Sequence, residues 1–157
     1  MANPLPKILI AYFDSVFEGP NGDYPAVLES LAGISAVQAA WKPARDCNSI
    51  WQIVDHLADS KLWQVDMLEK GQADAPVWGE AEGGTEDWLA SLAHLNNTHV
   101  RLKEALGKLT EDSLFVIPDP EWGLTWLQLL LSIAAHEAHH AGQIDYLKGL
   151  QAGFIPE

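Results

Sequence analysis

Two histidines four residues apart, His136 and His140, are the pair in this chain whose spacing points most directly to chemistry. On a helix that spacing puts both on one face, with Cβ atoms about 5–6 Å apart. Both imidazoles can then reach one metal ion at about 2.0–2.1 Å. His56, on another long helical segment, is the candidate third partner. Three neutral imidazoles leave positions open on a divalent ion, which is what a metal catalyst needs. Each of the three lies in or beside an apolar face, where a charged side chain is costly to bury without a partner. A single histidine in such a place is more often a hydrogen-bonded core residue than a ligand, so the spaced pair carries the signal.

Two other motifs overlap the same stretch. His136-Glu137-Ala138-His139-His140 fits H-E-x-x-H, the zinc-protease pattern with Glu137 as base. Its extended form needs Gly at 143 and His at 146, where this chain has Gln143 and Tyr146. Glu137-Ala138-His139-His140 also fits the Glu-x-x-His of di-iron bundles, but no second copy exists. His139 sits about 100° round the helix from His140 and does not share its metal. His94 falls off the apolar seam of its segment and reads as solvated; His99 falls on the seam and reads as a core or cavity residue. Of the nearby carboxylates, Asp55 and Glu137 adjoin a histidine and point away from it. Asp59, one turn after His56, is the best placed to support a ligand. Asp59 or His99 would have to close the coordination if the ion were structural. Cys47 precedes a helix start but has no base nearby in sequence, which reads as an inert thiol.

The elements that must position these residues are helical. Leu5, Ile8, Leu9, Tyr12, Phe13 and Val16 mark a first helix over Pro4 to Phe17. Glu18 to Gly22 breaks it, and a long first connection follows, with short turns at Pro25 to Leu31 and Ser35 to Ala39. That length permits a crossover. Ser49 and Gln52 form a capping box for a second long helix carrying Ile50, Ile53, Val54, Leu57, Leu62, Val65 and Leu68, ended by Lys70-Gly71. Thr85 caps a third, with a seam of Trp88, Leu92, Leu95, His99, Leu102, Leu106 and Leu109. Leu109 to Gly123 reads as a connector. Thr125 and Gln128 cap the last helix, striped by Leu127, Leu130, Leu131, Ala134, Ala138 and Ala141. With no convincing strand series, the expectation is an all-α four-helix bundle, one domain over residues 1–157.

Composition narrows the partners. Nearly half of the 157 residues are hydrophobic, which suits a packed core. Nine basic against 22 acidic residues give a net charge of −13, which repels phosphate backbones and argues against nucleic acid. No stretch approaches the roughly 18 apolar residues of a membrane span. The start of the chain shows no basic leader followed by a long apolar run, and the single cysteine excludes an internal disulfide. A soluble cytoplasmic protein is expected.

Two segments together resemble the DinB/YfiT-like superfamily. They are Ser49-Ile50-Trp51-x4-His56-Leu57 and His136-x3-His140-x-Gly142-Gln143-Ile144. The second is the more specific. The resemblance implies a bundle with a mononuclear metal site on His56, His136 and His140, with nickel or zinc as the usual ion, and it implies homodimers. Relatives include metal-dependent thiol transferases that activate a low-molecular-weight thiol, isomerases and hydrolases. Where such proteins often carry arginine after the last histidine, this chain has Ala141, which removes a positive charge beside the site. The expected function is therefore a metal-dependent transferase or hydrolase activating a thiol or water at a three-histidine site. The rival is a non-catalytic, stress-related bundle that binds a metal or another ligand.

Overall fold

The computed structural model describes residues 4–20, 22–76 and 78–154, and it is all-α. The helices are α1 (Pro4–Phe17), α2 (Val27–Leu31), α3 (Ala36–Ala40), α4 (Ile50–Lys70), α5 (Thr85–Gly107), α6 (Glu111–Leu114) and α7 (Trp126–Phe154). Local chemistry explains the ends. Ser49 and Gln52 exchange hydrogen bonds at the start of α4 (Ser49 N to Gln52 Oε1, 3.1 Å; Gln52 N to Ser49 Oγ, 3.2 Å). Thr125 and Gln128 do the same ahead of α7. Gly71 ends α4 at φ 72°, a left-handed conformation that glycine adopts without a Cβ penalty.

Several boundaries differ from expectation. Gly84, not Thr85, is the cap of α5: its N–H donates to Asp87 Oδ2 at 2.8 Å. The expected connector after Leu109 contains α6, capped by Thr110. The last helix continues beyond Leu150 to Phe154.

α1 packs on α5 and α7, and α4 packs on α5 and α7, so the four long helices close a ring. Their directions can be read from side-chain pairs. Trp51 meets Ser91, Lys61 meets His99, and Glu69 meets Lys108, so α4 and α5 run parallel. Trp51 and Val54 share one apolar cluster with Ile144 and Leu147, while Val65 shares another with Leu130 and Ala134, so α4 and α7 are antiparallel. Parallel neighbours cannot be joined by a tight hairpin, so the connection from α4 to α5 is a crossover. Residues 71–76 and 78–84 form a strap that returns along α4, where Gly79 O accepts from Gln52 Nε2 at 2.9 Å.

The core is split in two. One apolar cluster holds Trp51, Val54 and Leu57 of α4, Trp88 and Leu95 of α5, and Ala141, Ile144 and Leu147 of α7, together with α2 and α3. The other holds Leu9, Phe13 and Val16 of α1, Val65 of α4, Leu102 and Leu106 of α5, and Leu130 and Ala134 of α7. Between them, at the same level on the facing helices, lie the buried polar residues Ser60, Lys61, Gln64, Thr98, His99, Glu137 and His140. Burying polar groups is costly unless they satisfy one another, so this layer is where function is sought.

Candidate metal centre

The antiparallel packing of α4 on α7 brings His56 to the His136–His140 pair. His136 Nε2 lies 3.2 Å from His56 Nε2 and 2.9 Å from His140 Nε2. One ring nitrogen from each of the three lies within 4.8 Å of the others. Three ring nitrogens converging on one point is an arrangement that apolar packing does not produce. It suits donors to a shared ion. His140 and His136 have pKa values pushed down to about 4, first by burial and then by neighbouring imidazoles. His56 is also lowered, again chiefly by burial. All three are thus neutral at pH 7, the state in which imidazole is a ligand.

The outer contacts are unequal. His140 Nδ1 donates to Gln143 Oε1 at 2.7 Å, which fixes the tautomer and leaves Nε2 free to accept. Gln143 Nε2 in turn donates to His139 Nε2 at 2.9 Å, so His139 stands one step outside the cluster. The Nδ1 atoms of His56 and His136 are buried and have no hydrogen-bond partner among the described residues. Asp59 does not supply one. It is part-exposed and lies 3.8 Å from His94, which is itself exposed as expected. Asp55 turns to Ser91 on α5.

The strap contributes the remaining wall. Trp78 stacks on His56 with ring centroids 4.0 Å apart and planes 12° from parallel. Next to the imidazoles, a cavity of about 420 Å³ is lined by His56, His136, Ser60, Trp63, Trp122 and Ile133, with Ala73, Ala75 and Pro76 of the strap. Trp63 and Trp122 face each other there at 5.7 Å.

The other side of the polar layer holds a second group. Lys61 is fully buried and forms an ion pair with Glu137, also buried. Burial pushes the lysine down and the carboxyl up, while the pairing opposes both shifts. Lys61 Nζ also lies 3.4 Å from His99 Nδ1, and His99 Nε2 lies 3.0 Å from Asp14 Oδ1. The roles that satisfy both contacts put the His99 proton on Nε2. Burial, then the Lys61 charge, lowers the His99 pKa to about 4. Lys103 closes the outer end on Asp14 at 2.7 Å. Asp14, Glu18 and His99 also cluster closely enough to suit a cation, but the Lys103 ammonium already occupies their centre of charge. His99 is therefore tied to this second group and not to the three imidazoles.

Lys61 and Glu137 were not legible as a pair, but a signal exists. Lys61 follows Leu57 by four and precedes Val65 by four, so it occupies the apolar stripe itself, while Leu62 is only half-buried. Glu137 interrupts Leu130, Ala134, Ala141 and Ile144 in the same way. A charge on the buried stripe of two helices is a request for a partner.

The family model of the DinB superfamily matches residues 23–144. The chain belongs to the DinB superfamily. The match spans α2 to most of α7 and includes His56, His136 and His140. No curated protein matches the chain. Proteins of the DinB superfamily are often metal-binding, and this member carries a possible three-histidine site. Among the described residues no helix is long and apolar enough to cross a membrane.

Proposed function

We propose that this DinB-superfamily protein is a metal-dependent enzyme of transferase or hydrolase type, with one divalent ion held by His56, His136 and His140. The observation that carries the reading is the convergence of three neutral ring nitrogens, at 2.9 and 3.2 Å along the chain of contacts, beside an aromatic cavity. Nickel or zinc suits an imidazole donor set. When bound, such an ion supplies Lewis acidity that makes a thiol or water nucleophilic near neutral pH.

The protein's own residues do the rest. Gln143 holds the His140 ring with its Nε2 lone pair inward. Trp78, stacked on His56, covers the cluster from the strap side and limits access by bulk water. Ile133, Trp63 and Trp122 give the reacting molecule an apolar wall beside His56 and His136. Burial keeps His136 and His140 unprotonated near neutral pH, so protons do not compete with the ion for their lone pairs.

Elemental analysis tests the reading. Purified protein is expected to carry close to one divalent ion per chain, and the His136→Ala/His140→Ala double variant to carry none. Full occupancy in the double variant refutes the site. The assembly proposed with it is a homodimer, in which exposed Ile8 and Tyr12 on α1 and Leu131 on α7 are apolar groups that an interface could cover. A monomeric mass by light scattering at micromolar concentration overturns that part alone.

A further inference from the structure

The cavity of about 420 Å³ beside His56 and His136 is lined by two unlike sets of residues. One is the two imidazoles with Ser60, which follows His56 by one turn of α4. The other is Trp63, Trp122 and Ile133, with apolar residues of the strap. No Asp, Glu, Lys or Arg stands among its described lining residues. A charge on whatever fills the apolar part would be desolvated without an ionic partner. A larger cavity of about 550 Å³ is lined by His139 and Gln143, but none of the three converging imidazoles is among its described lining residues.

Trp122 is held in place by its own turn. Asp119 O accepts from the N–H of Trp122 at 3.1 Å and from that of Gly123 at 3.3 Å, and Asp119 Oδ1 accepts from Glu121 N–H at 2.8 Å. Gly123 takes φ 64°, the left-handed conformation open to glycine, as the chain leaves this turn for α7. The turn keeps the Trp122 ring 41% exposed. Its centroid lies 5.7 Å from that of half-buried Trp63, with planes 39° apart, so the two indoles are tilted rather than stacked.

A body that covers these rings would gain the apolar burial they lack. The imidazole end has the opposite need. Three neutral imidazoles bring no charge to a divalent ion, so the ion keeps its full charge and attracts an anionic donor. We infer that the site takes a molecule with one anionic donor group at the imidazole end and a flat, uncharged, aromatic body packed on Trp122, Trp63 and Ile133. This rests on the proposed metal centre and on the cavity beside it as the substrate site. It goes beyond that reading by assigning the body of the substrate and the residues that select it.

The test keeps the donor group constant and varies the body. Propionate, 3-phenylpropionate, 3-(4-sulfophenyl)propionate and 3-(4-aminomethylphenyl)propionate are titrated calorimetrically into zinc-loaded protein at about 0.15 M salt, which screens the long-range field of the acidic chain. 3-Phenylpropionate is expected to bind roughly ten- to hundredfold more tightly than propionate, the worth of burying one aromatic ring. Neither distal charge should improve on it. Trp122→Ala should cut the preference for the phenyl body by roughly three- to tenfold, and Trp122→Phe should retain it. The donor group is tested with 3-phenylpropanol, which should bind the loaded protein more weakly than 3-phenylpropionate. That difference should vanish in the His136→Ala/His140→Ala variant. Tighter binding of either distally charged analogue, a phenyl preference unchanged in Trp122→Ala, or an acid-over-alcohol difference that survives in the double histidine variant overturns the inference. Zinc content is measured on the same samples. One ion per chain without a phenyl preference sinks this inference and leaves the metal centre standing. A parent protein that takes up no zinc sinks both.

Discussion

The two sides of the polar layer are built on the same helices and differ in one respect: whether their partners are all inside the protein. On one side Lys61, Glu137, His99, Asp14 and Lys103 answer one another in a chain from the core to the surface. None of them is among the described residues that line the cavity beside His56 and His136. On the other side His56, His136 and His140 present ring nitrogens to one another, and His56 and His136 line an open hollow. The chemical difference follows from charge. A buried ammonium and a buried carboxylate are each costly without a partner, and here Lys61 and Glu137 pair with each other. Neutral imidazoles cost less to bury and keep a lone pair available. The closed side is thus expected to govern stability and the open side binding, and each prediction below tries to cross that line.

The largest effect should come from breaking the closed side. Lys61→Met leaves the Glu137 carboxyl buried without its partner, in a place where Glu137 Oε2 already has none among the described residues. Losing one member of a buried pair costs roughly 3–5 kcal/mol, whereas replacing both by apolar residues is often neutral. At roughly 2–4 °C per kcal/mol for a chain of this size, the single variant should melt about 10 °C lower. Lys61→Met/Glu137→Leu should recover most of that and keep its metal. Urea unfolding and elemental analysis of both variants check it. A double variant that is stable but metal-free would show that the two sides are one unit.

Next comes the pH dependence of the closed side. An imidazole near 6.5 in the unfolded chain titrates at about 4 in His99, first because it is buried. Between those values the unfolded chain binds more protons than the folded one, so stability is complete above pH 6.5 and falls as pH drops toward 4. The contribution of one such group is roughly 3 kcal/mol at most. His136 and His140 shift the same way, so the measurement is a difference. His99→Gln should have a shallower stability-versus-pH curve than the parent, both metal-free. An unchanged slope would mean that His99 is not buried neutral.

The legible part of this molecule is what repeats or caps. The α5 seam from Trp88 to Leu106 is buried as its spacing predicts, half-buried Leu92 apart, and both Ser/Thr–Gln capping boxes form. The spacing of His136 and His140 does bring their rings together, with Nε2 atoms 2.9 Å apart. What stayed hidden depends on helix direction. Parallel α4 and α5 require a return path, and that strap lays Trp78 on His56 and walls the cavity with Ala73 and Pro76. Loop composition does not encode such a path. Asp59, one turn from His56, acts on it through its charge, while its carboxylate lies 3.8 Å from His94 and makes no hydrogen bond to His56 Nδ1. Lys61 was missed because a stripe is traced by its apolar members, and the informative residue was the one that broke it.

The smallest effect, and the one that separates the two sides most finely, concerns Gln143. It is exposed, so its removal should change stability by no more than about 0.5 kcal/mol. Its amide oxygen, however, accepts from His140 Nδ1 and holds that ring in the tautomer whose Nε2 faces His136. The Nδ1 atoms of His56 and His136 have no such partner among the described residues, so His140 is the one of the three whose tautomer is set by an outer hydrogen bond. Gln143→Ala should therefore weaken metal binding by roughly 10–100-fold, the usual cost of losing an outer contact to a ligand. Gln143→Glu keeps an acceptor at Nδ1 and should retain affinity. His139→Ala removes only the far end of the chain and should change affinity by less than about threefold, because the Gln143–His140 contact survives it. Competitive chelator titration of the three variants reads these differences directly. If Gln143→Ala binds metal as the parent does while His139→Ala loses it, then His139 rather than His140 faces the ion, and the open side must be redrawn around the exposed edge of α7.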